Sequence, residues 1–168
     1  MFKAGDVVKY GMNGVCKISD IVLKDFLGEK KKYYVLTPVN ESGSTYYVPV
    51  ENEALTAKMQ YILSADEVYR IMNEATGMKT EWIEADKVRE EAFGKILKSN
   101  DRREIISLIR CIKNKECELS ANKKKLHSAD MRILIDAENI IAEEFATVLN
   151  VKIKEVEKII SEYFITEA

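Results

Sequence analysis

The spacing of apolar residues changes once along this 168-residue chain, near residue 57. A shift from a two-residue to a 3.6-residue period imposes a change of architecture on any fold. Before the shift, Val7, Tyr10, Val15, Ile18, Ile21 and the run Tyr33 to Leu36 supply β-branched and aromatic residues. Gly5-Asp6, Asn13-Gly14, Leu27-Gly28 and Ser42-Gly43 mark reversals between them. The pattern predicts four or five short strands. A module of 57 residues cannot bury a deep core as an open sheet, so a strongly bent, nearly closed barrel is expected. Any strand left open would be a docking edge.

After a connector at residues 57–63, the chain reads as helix. Ser64-Ala65-Asp66-Glu67 has the form of a capping box, and the helix it opens should run to about Ala75, where Thr76-Gly77 stops it. Thr80 is placed to cap a second helix with Trp82 in its first turn and Val88, Ala92, Phe93, Ile96 and Leu97 as its apolar stripe. Asn100-Asp101 separates a third helix, carrying Ile105, Ile106, Leu108, Ile109 and Ile112, that ends in the charged turn Lys113 to Glu118. Ser120 opens the fourth and longest, whose stripe runs from Leu126 through Phe145 to Leu149 without Gly or Pro. Val156, Ile159, Ile160 and Phe164 make a final helix. The expected class is α+β: a small Tudor-like or SH3-like β-barrel at 1–57, then a compact all-α bundle of about five helices at 58–168.

A composition of 46% hydrophobic and 32% charged residues suits an ordinary globular chain. The net charge of −2 gives no general affinity for nucleic acid, so charge must be read locally. Residues 1–57 balance seven lysines against seven acids, and the remaining 19 basic and 21 acidic residues carry the whole −2. The three cysteines, Cys16, Cys111 and Cys117, lack C-x-x-C spacing and are expected as reduced thiols, mostly buried. No zinc site or other cofactor is called for. With no apolar leader and no membrane-length apolar window, the expected location is the cytoplasm.

One His, three scattered Cys and carboxylates strewn over helix surfaces make no acid–base, nucleophilic or metal-ligating cluster, so the chain is not expected to be an enzyme. His127 reads as a surface or half-buried helix position. Trp82, the single Trp, lies outside the main apolar stripe of its expected helix. It reads either as a residue packed on a neighbouring helix or as an exposed wedge for a distorted minor-groove base step. In the second case Lys87 and Arg89 would meet phosphates. Lys123, Lys124 and Lys125 would sit in the first turns of the fourth helix, against its dipole, where a phosphate backbone would justify them and a solvated face is the plain alternative. Phe145 to Ile159 has the spacing of a helix-turn-helix, but Lys152, Lys154, Glu155, Glu157, Lys158 and Glu162 nearly cancel, and packing of a terminal helix explains it better. In the β module, Lys30 to Lys32 reads as a solvated hairpin end. Lys24, Tyr46, Tyr47 and Pro49 are the candidates for a protein-facing surface. Of two neighbouring tyrosines on a strand, one points to the core and one outward.

Phe2-Lys3-x-Gly5-Asp6-x-Val8-x-Tyr10 with Gly14, Gly28 to Leu36, and Val48-Pro49-Val50-Glu51-Asn52 together resemble the CarD family of bacterial transcription regulators. The N-terminal domain of that family is shared with the RNA-polymerase-interacting domain of transcription-repair coupling factor. Trp82, Lys87, Leu119-Ser120-Ala121, Lys124-Lys125-Leu126 and Ile133-Leu134 extend the resemblance over nearly the whole chain. It implies a β module that binds the β subunit of RNA polymerase and a helical domain whose Trp touches promoter DNA at the upstream edge of the transcription bubble, stabilising the open complex. By the same resemblance, Lys24 and Tyr47 fall where the family often has polymerase-contacting arginines. Where the family continues past its Trp with two arginines, this chain has Ile83, Glu84 and Ala85, and Lys87 alone matches a basic position.

The expected function is therefore a nonenzymatic, monomeric transcription regulator that docks on the polymerase β subunit and modulates open-complex stability through a DNA contact that is weak on its own. The alternative is a protein–protein scaffold whose helical domain binds a protein rather than DNA.

Overall fold

The structure, a computed structural model, describes residues 1–26, 28–40 and 43–165. Leu27 and Ser42, each half of an expected turn, lie outside the described residues. The chain divides into two compact units, Met1–Ile62 and Leu63–Ala168.

The first unit is an antiparallel sheet of five strands, β1 (Val7–Tyr10), β2 (Val15–Phe26), β3 (Glu29–Pro38), β4 (Tyr46–Pro49) and β5 (Met59–Tyr61), with a single helical turn, α1 (Glu53–Thr56), before the last. The spatial order is β4-β3-β2-β1-β5. The two end strands do not pair, so the sheet is open where a nearly closed barrel was expected. Strands of four and three residues are too short to carry a closing ladder, and they leave β4 and β5 as edges. A register shift between Ile18 and Asp20 supplies a bulge in β2, a device that bends a strand and raises its twist. One face buries Val8, Tyr10, Cys16, Ile18, Tyr34, Leu36, Val48 and Met59, with Phe2, Tyr46, Val50 and Leu55 packed around them.

The connector expected at 57–63 is instead where the sheet gains β5. Tyr10 pairs with Met59 and Val8 with Tyr61, and Met59 is buried, so the sheet-bearing unit extends past residue 57 to Ile62.

The second unit holds α2 (Ala65–Thr76), α3 (Asp86–Ser99), α4 (Arg102–Ala121), α5 (Ser128–Leu149) and α6 (Ile153–Ile165). The Ser64 cap and its reciprocal bond with Glu67 form as expected. Two other starts differ. Thr80 does not cap a helix: its hydroxyl donates to the Ser107 hydroxyl at 2.9 Å, and residues 77–85 are an irregular connector. Ser120 does not open a helix either, because α4 runs through the charged stretch to Ala121, and α5 begins only at Ser128. Asn100 and Asn150 close α3 and α5 in the left-handed conformation, a role that asparagine tolerates.

The core of this unit is formed by Val68, Met72, Phe93, Ile105, Ile106, Leu108, Ile112, Ile141, Phe145 and Val156 with their neighbours. Val156 is fully buried and Ile159 and Ile160 pack on that core, so α6 is a packed terminal helix. Of the thiols, Cys16 is buried, Cys111 half-buried with its pKa raised by burial, and Cys117 exposed on α4, against the expectation for that residue.

Candidate functional site

Two surfaces carry the residues singled out in the sequence, one in each unit. In the sheet, the registers Val22↔Tyr33, Lys24↔Lys31, Tyr33↔Pro49 and Val35↔Tyr47 put Lys24, Tyr33, Tyr47 and Pro49 on the face opposite the core. Phe26 joins them two residues beyond Lys24. The Phe26 ring lies 5.1 Å from that of Tyr33 and 5.6 Å from that of Tyr47, both edge-on, and the Tyr33 and Tyr47 rings are 6.5 Å apart. Lys24 Nζ stands 4.6 Å from the Tyr47 ring centroid and donates to its hydroxyl at 3.3 Å. Phe26 and Tyr47 keep 44% and 38% of their surface exposed, a large aromatic area for a domain this small to leave in water.

Of the four residues expected at a protein-facing surface, Lys24 and Tyr47 are in contact. Pro49 lies beside them in a shallow depression with Lys31, Tyr33, Glu51, Asn52 and Glu53. Tyr46 is the inward member of its pair, packed on the core with its ring 6.0 Å from that of Tyr10, and so leaves the outer face. Phe26 and Tyr33 were not foreseen. Their signal was the same parity that separates Tyr46 from Tyr47, readable only once the β2–β3 register is known.

In the helical unit, Trp82 lies in the connector before α3 and is partly buried against the core. Its ring meets Phe93 edge-on at 6.0 Å, and Arg89 Cζ sits 4.2 Å from its centroid. Arg89 is 3% exposed. Its Nε and Nη2 donate to the two Asp130 carboxylate oxygens at 2.8 Å each, Nη2 also donates to Asp86 at 2.7 Å, and Nη1 donates to the carbonyls of Ile83 and Glu84 at 2.7 and 3.2 Å. Asp130 first, then Asp86, push the guanidinium pKa further above its ordinary value, against the opposing effect of burial. An arginine with every nitrogen engaged and so little exposed surface has no donor left for a phosphate, which removes Arg89 from the expected DNA contacts.

Around Trp82 lies a cleft of about 250 Å³, with Lys115, Lys124, Lys125 and His127 on its walls together with Glu84, Asp86 and Asp130. The expected Lys123, Lys124 and Lys125 are exposed in the connector after α4 and not in the first turns of α5. Lys123 takes a positive φ there. Trp82, Lys124 and Lys125 are thus brought together, while Lys87 is exposed on the first turn of α3 and does not line the cleft. Lys115 was missed, because a lysine inside an expected charged turn carried no sign that its Nζ would stand 5.6 Å from the Trp82 ring. Among the described residues, no group of three or more His, Cys, Asp or Glu is arranged to hold a metal. None of the described helices is long and apolar enough to cross a membrane.

Residues 2–63 match the family model of the CarD-like/TRCF RID domain. The N-terminal unit is similar to that domain family over this span. The matched span ends within a residue of the division between the units, so the CarD-like domain takes in β5 and the outer face bearing Lys24 and Tyr47. The family is one of protein interaction, with a transcription-related role. The helical unit lies beyond the match, and no curated protein matches the chain.

Proposed function

We propose that the protein is a transcription regulator whose CarD-like domain docks on the β subunit of RNA polymerase through the outer face of β2, β3 and β4. The observation that carries this reading is the coincidence of the family match with exposed Lys24, Phe26 and Tyr47, packed over the buried Tyr33 ring beside an edge strand. Aromatic residues flanked by a cation are what protein interfaces concentrate. On this reading Tyr47, stacked and hydrogen-bonded with Lys24, is the anchor.

The helical unit then meets promoter DNA at the upstream edge of the bubble through Trp82, with Lys87, Lys124 and Lys125 on the phosphates, and modulates open-complex stability. Glu84 and Asp86 on the same cleft keep affinity for free DNA low. Docking on polymerase offsets this by raising the effective concentration of the unit at the promoter. The protein works as a cytoplasmic monomer and catalyses nothing.

Those same acids, and the Trp82 ring packed on Arg89 and Phe93, favour a second reading in which the helical unit binds a protein. The fluorescence of Trp82 separates the two. A quench by fork-junction DNA in the presence of polymerase, weakening as salt rises, supports the DNA reading. An emission that ignores the DNA at every salt concentration leaves the protein scaffold.

A further inference from the structure

We propose that Arg89 is a positioning residue that fixes the ring of Trp82. This deepens the reading of Trp82 as the nucleic-acid contact and takes its functional meaning from it.

The connector at 77–85 has no helix or strand of its own, so its backbone groups must find partners elsewhere or the segment will not hold one conformation. Arg110 binds the carbonyls of Thr76 and Met78, and Thr80 binds Ser107. The stretch that follows Trp82 depends on Arg89. Its Nη1 holds the two successive carbonyls of Ile83 and Glu84, while its Nε and Nη2 are locked on Asp130 of α5 and Asp86 of α3. The guanidinium plane so fixed lies 4.2 Å from the Trp82 centroid, where cation–π attraction and stacking add to the backbone restraint. Phe93 stops the ring from the side. One planar group therefore fixes both the main chain beyond Trp82 and the face of its indole, and a ring ordered in advance loses less freedom when it binds. Lysine carries the same charge but has no planar fork, so it cannot hold two carboxylates and two carbonyls together.

A purely structural alternative is that Arg89 only bridges α3 to α5. Trp82 is the single Trp of the chain, which makes its emission a local reporter on the full-length protein. The test compares Arg89→Lys and Asp86→Asn with wild type by acrylamide quenching and fluorescence anisotropy, with helical content and melting followed by circular dichroism. Asp86→Asn leaves the Arg89–Asp130 bridge in place and so preserves the bundle. The expected result is quenching that rises and anisotropy that falls in both variants, more in Arg89→Lys, while helical content is kept. Unchanged quenching and anisotropy in Asp86→Asn and in folded Arg89→Lys would overturn the proposal.

Open-complex lifetime on a responsive promoter separates this claim from the one beneath it. If Trp82 contacts DNA, Arg89→Lys shortens the lifetime several-fold in the direction of Trp82→Ala. If Trp82→Ala leaves the lifetime unchanged while both clamp variants loosen the ring, the positioning role stands and the DNA reading fails.

Discussion

Glu144 has no exposed surface, yet its carboxylate is ion-paired with Arg102 by bonds of 2.7 and 3.0 Å, with the Leu63 amide donating to it at 3.4 Å. Neutralising one member of such a pair strands the other charge in a medium that cannot solvate it. Glu144→Ala is therefore expected to destabilise the helical unit by about 3–5 kcal/mol in chemical denaturation. Neither this pair nor the Arg89–Asp130 pair was legible in the sequence, because partners 42 and 41 positions apart on different helices leave no local pattern. The placing of Arg89 beside Lys87, past Trp82, suggested a phosphate contact, but Arg89 turns inward to Asp130 and is 3% exposed. Parity succeeded at Tyr46 and Tyr47 as far as it reached: it required one inward and one outward ring, and the register with Leu36 and Val35 decided which.

At the scale of elements, caps were legible where a side chain had only a local choice. Ser64 accepts from the Glu67 amide, and Glu67 is held below the usual carboxylate range chiefly by its bond from the Ser64 backbone. Ser64→Ala should cost about 1 kcal/mol in the same denaturation experiment. Thr80 and Ser120 depart from the expected caps because tertiary partners and good helix formers override a hydroxyl. Thr80 is drawn to Ser107, and the Lys and Glu residues that resembled a charged turn propagate α4. The stop comes at Asn122-Lys123, where Lys123 turns to positive φ. Asp101 is the true cap of α4, accepting from the Arg103 amide at 2.9 Å and bridged to its guanidinium at 2.8 Å. The Arg103 side chain is the main cause holding the Asp101 carboxyl below its ordinary range. A depressed folded pKa stabilises above the unfolded value and is lost as pH falls through the folded one. The helical unit should thus weaken on acidification below about pH 4. Asp101→Asn, which keeps a capping oxygen, should flatten part of that decline in melting temperature measured against pH.

For the whole molecule, the change of period near residue 57 was enough to divide a sheet from a bundle, and the class α+β followed from it. Two features escaped. Openness of the sheet depends on how short β4 and β5 are, and strand length is blurred where Pro and polar residues crowd the ends. The three residues of β5 carried too little alternation to be seen, although they pair with β1 and bring Met59 into the core. A fragment of residues 1–63 should accordingly melt cooperatively, whereas residues 1–57, with the β1 edge stripped, should not; circular dichroism of the two fragments checks this. Trp82 was legible as a singular residue, but its cleft was not, since Lys115, Lys124 and Lys125 come from the end of α4 and the connector after it. The account as a whole rests on the outer face of the sheet as a polymerase-docking surface. Its most direct test is pull-down of the RNA polymerase β lobe by the full chain, comparing wild type with Lys24→Glu and Tyr47→Ala. The account predicts capture by wild type, and a loss on the order of 2 kcal/mol or more of binding in Tyr47→Ala, with Lys24→Glu at least as weak. Equal capture by all three folded proteins, or none by wild type, would contradict it.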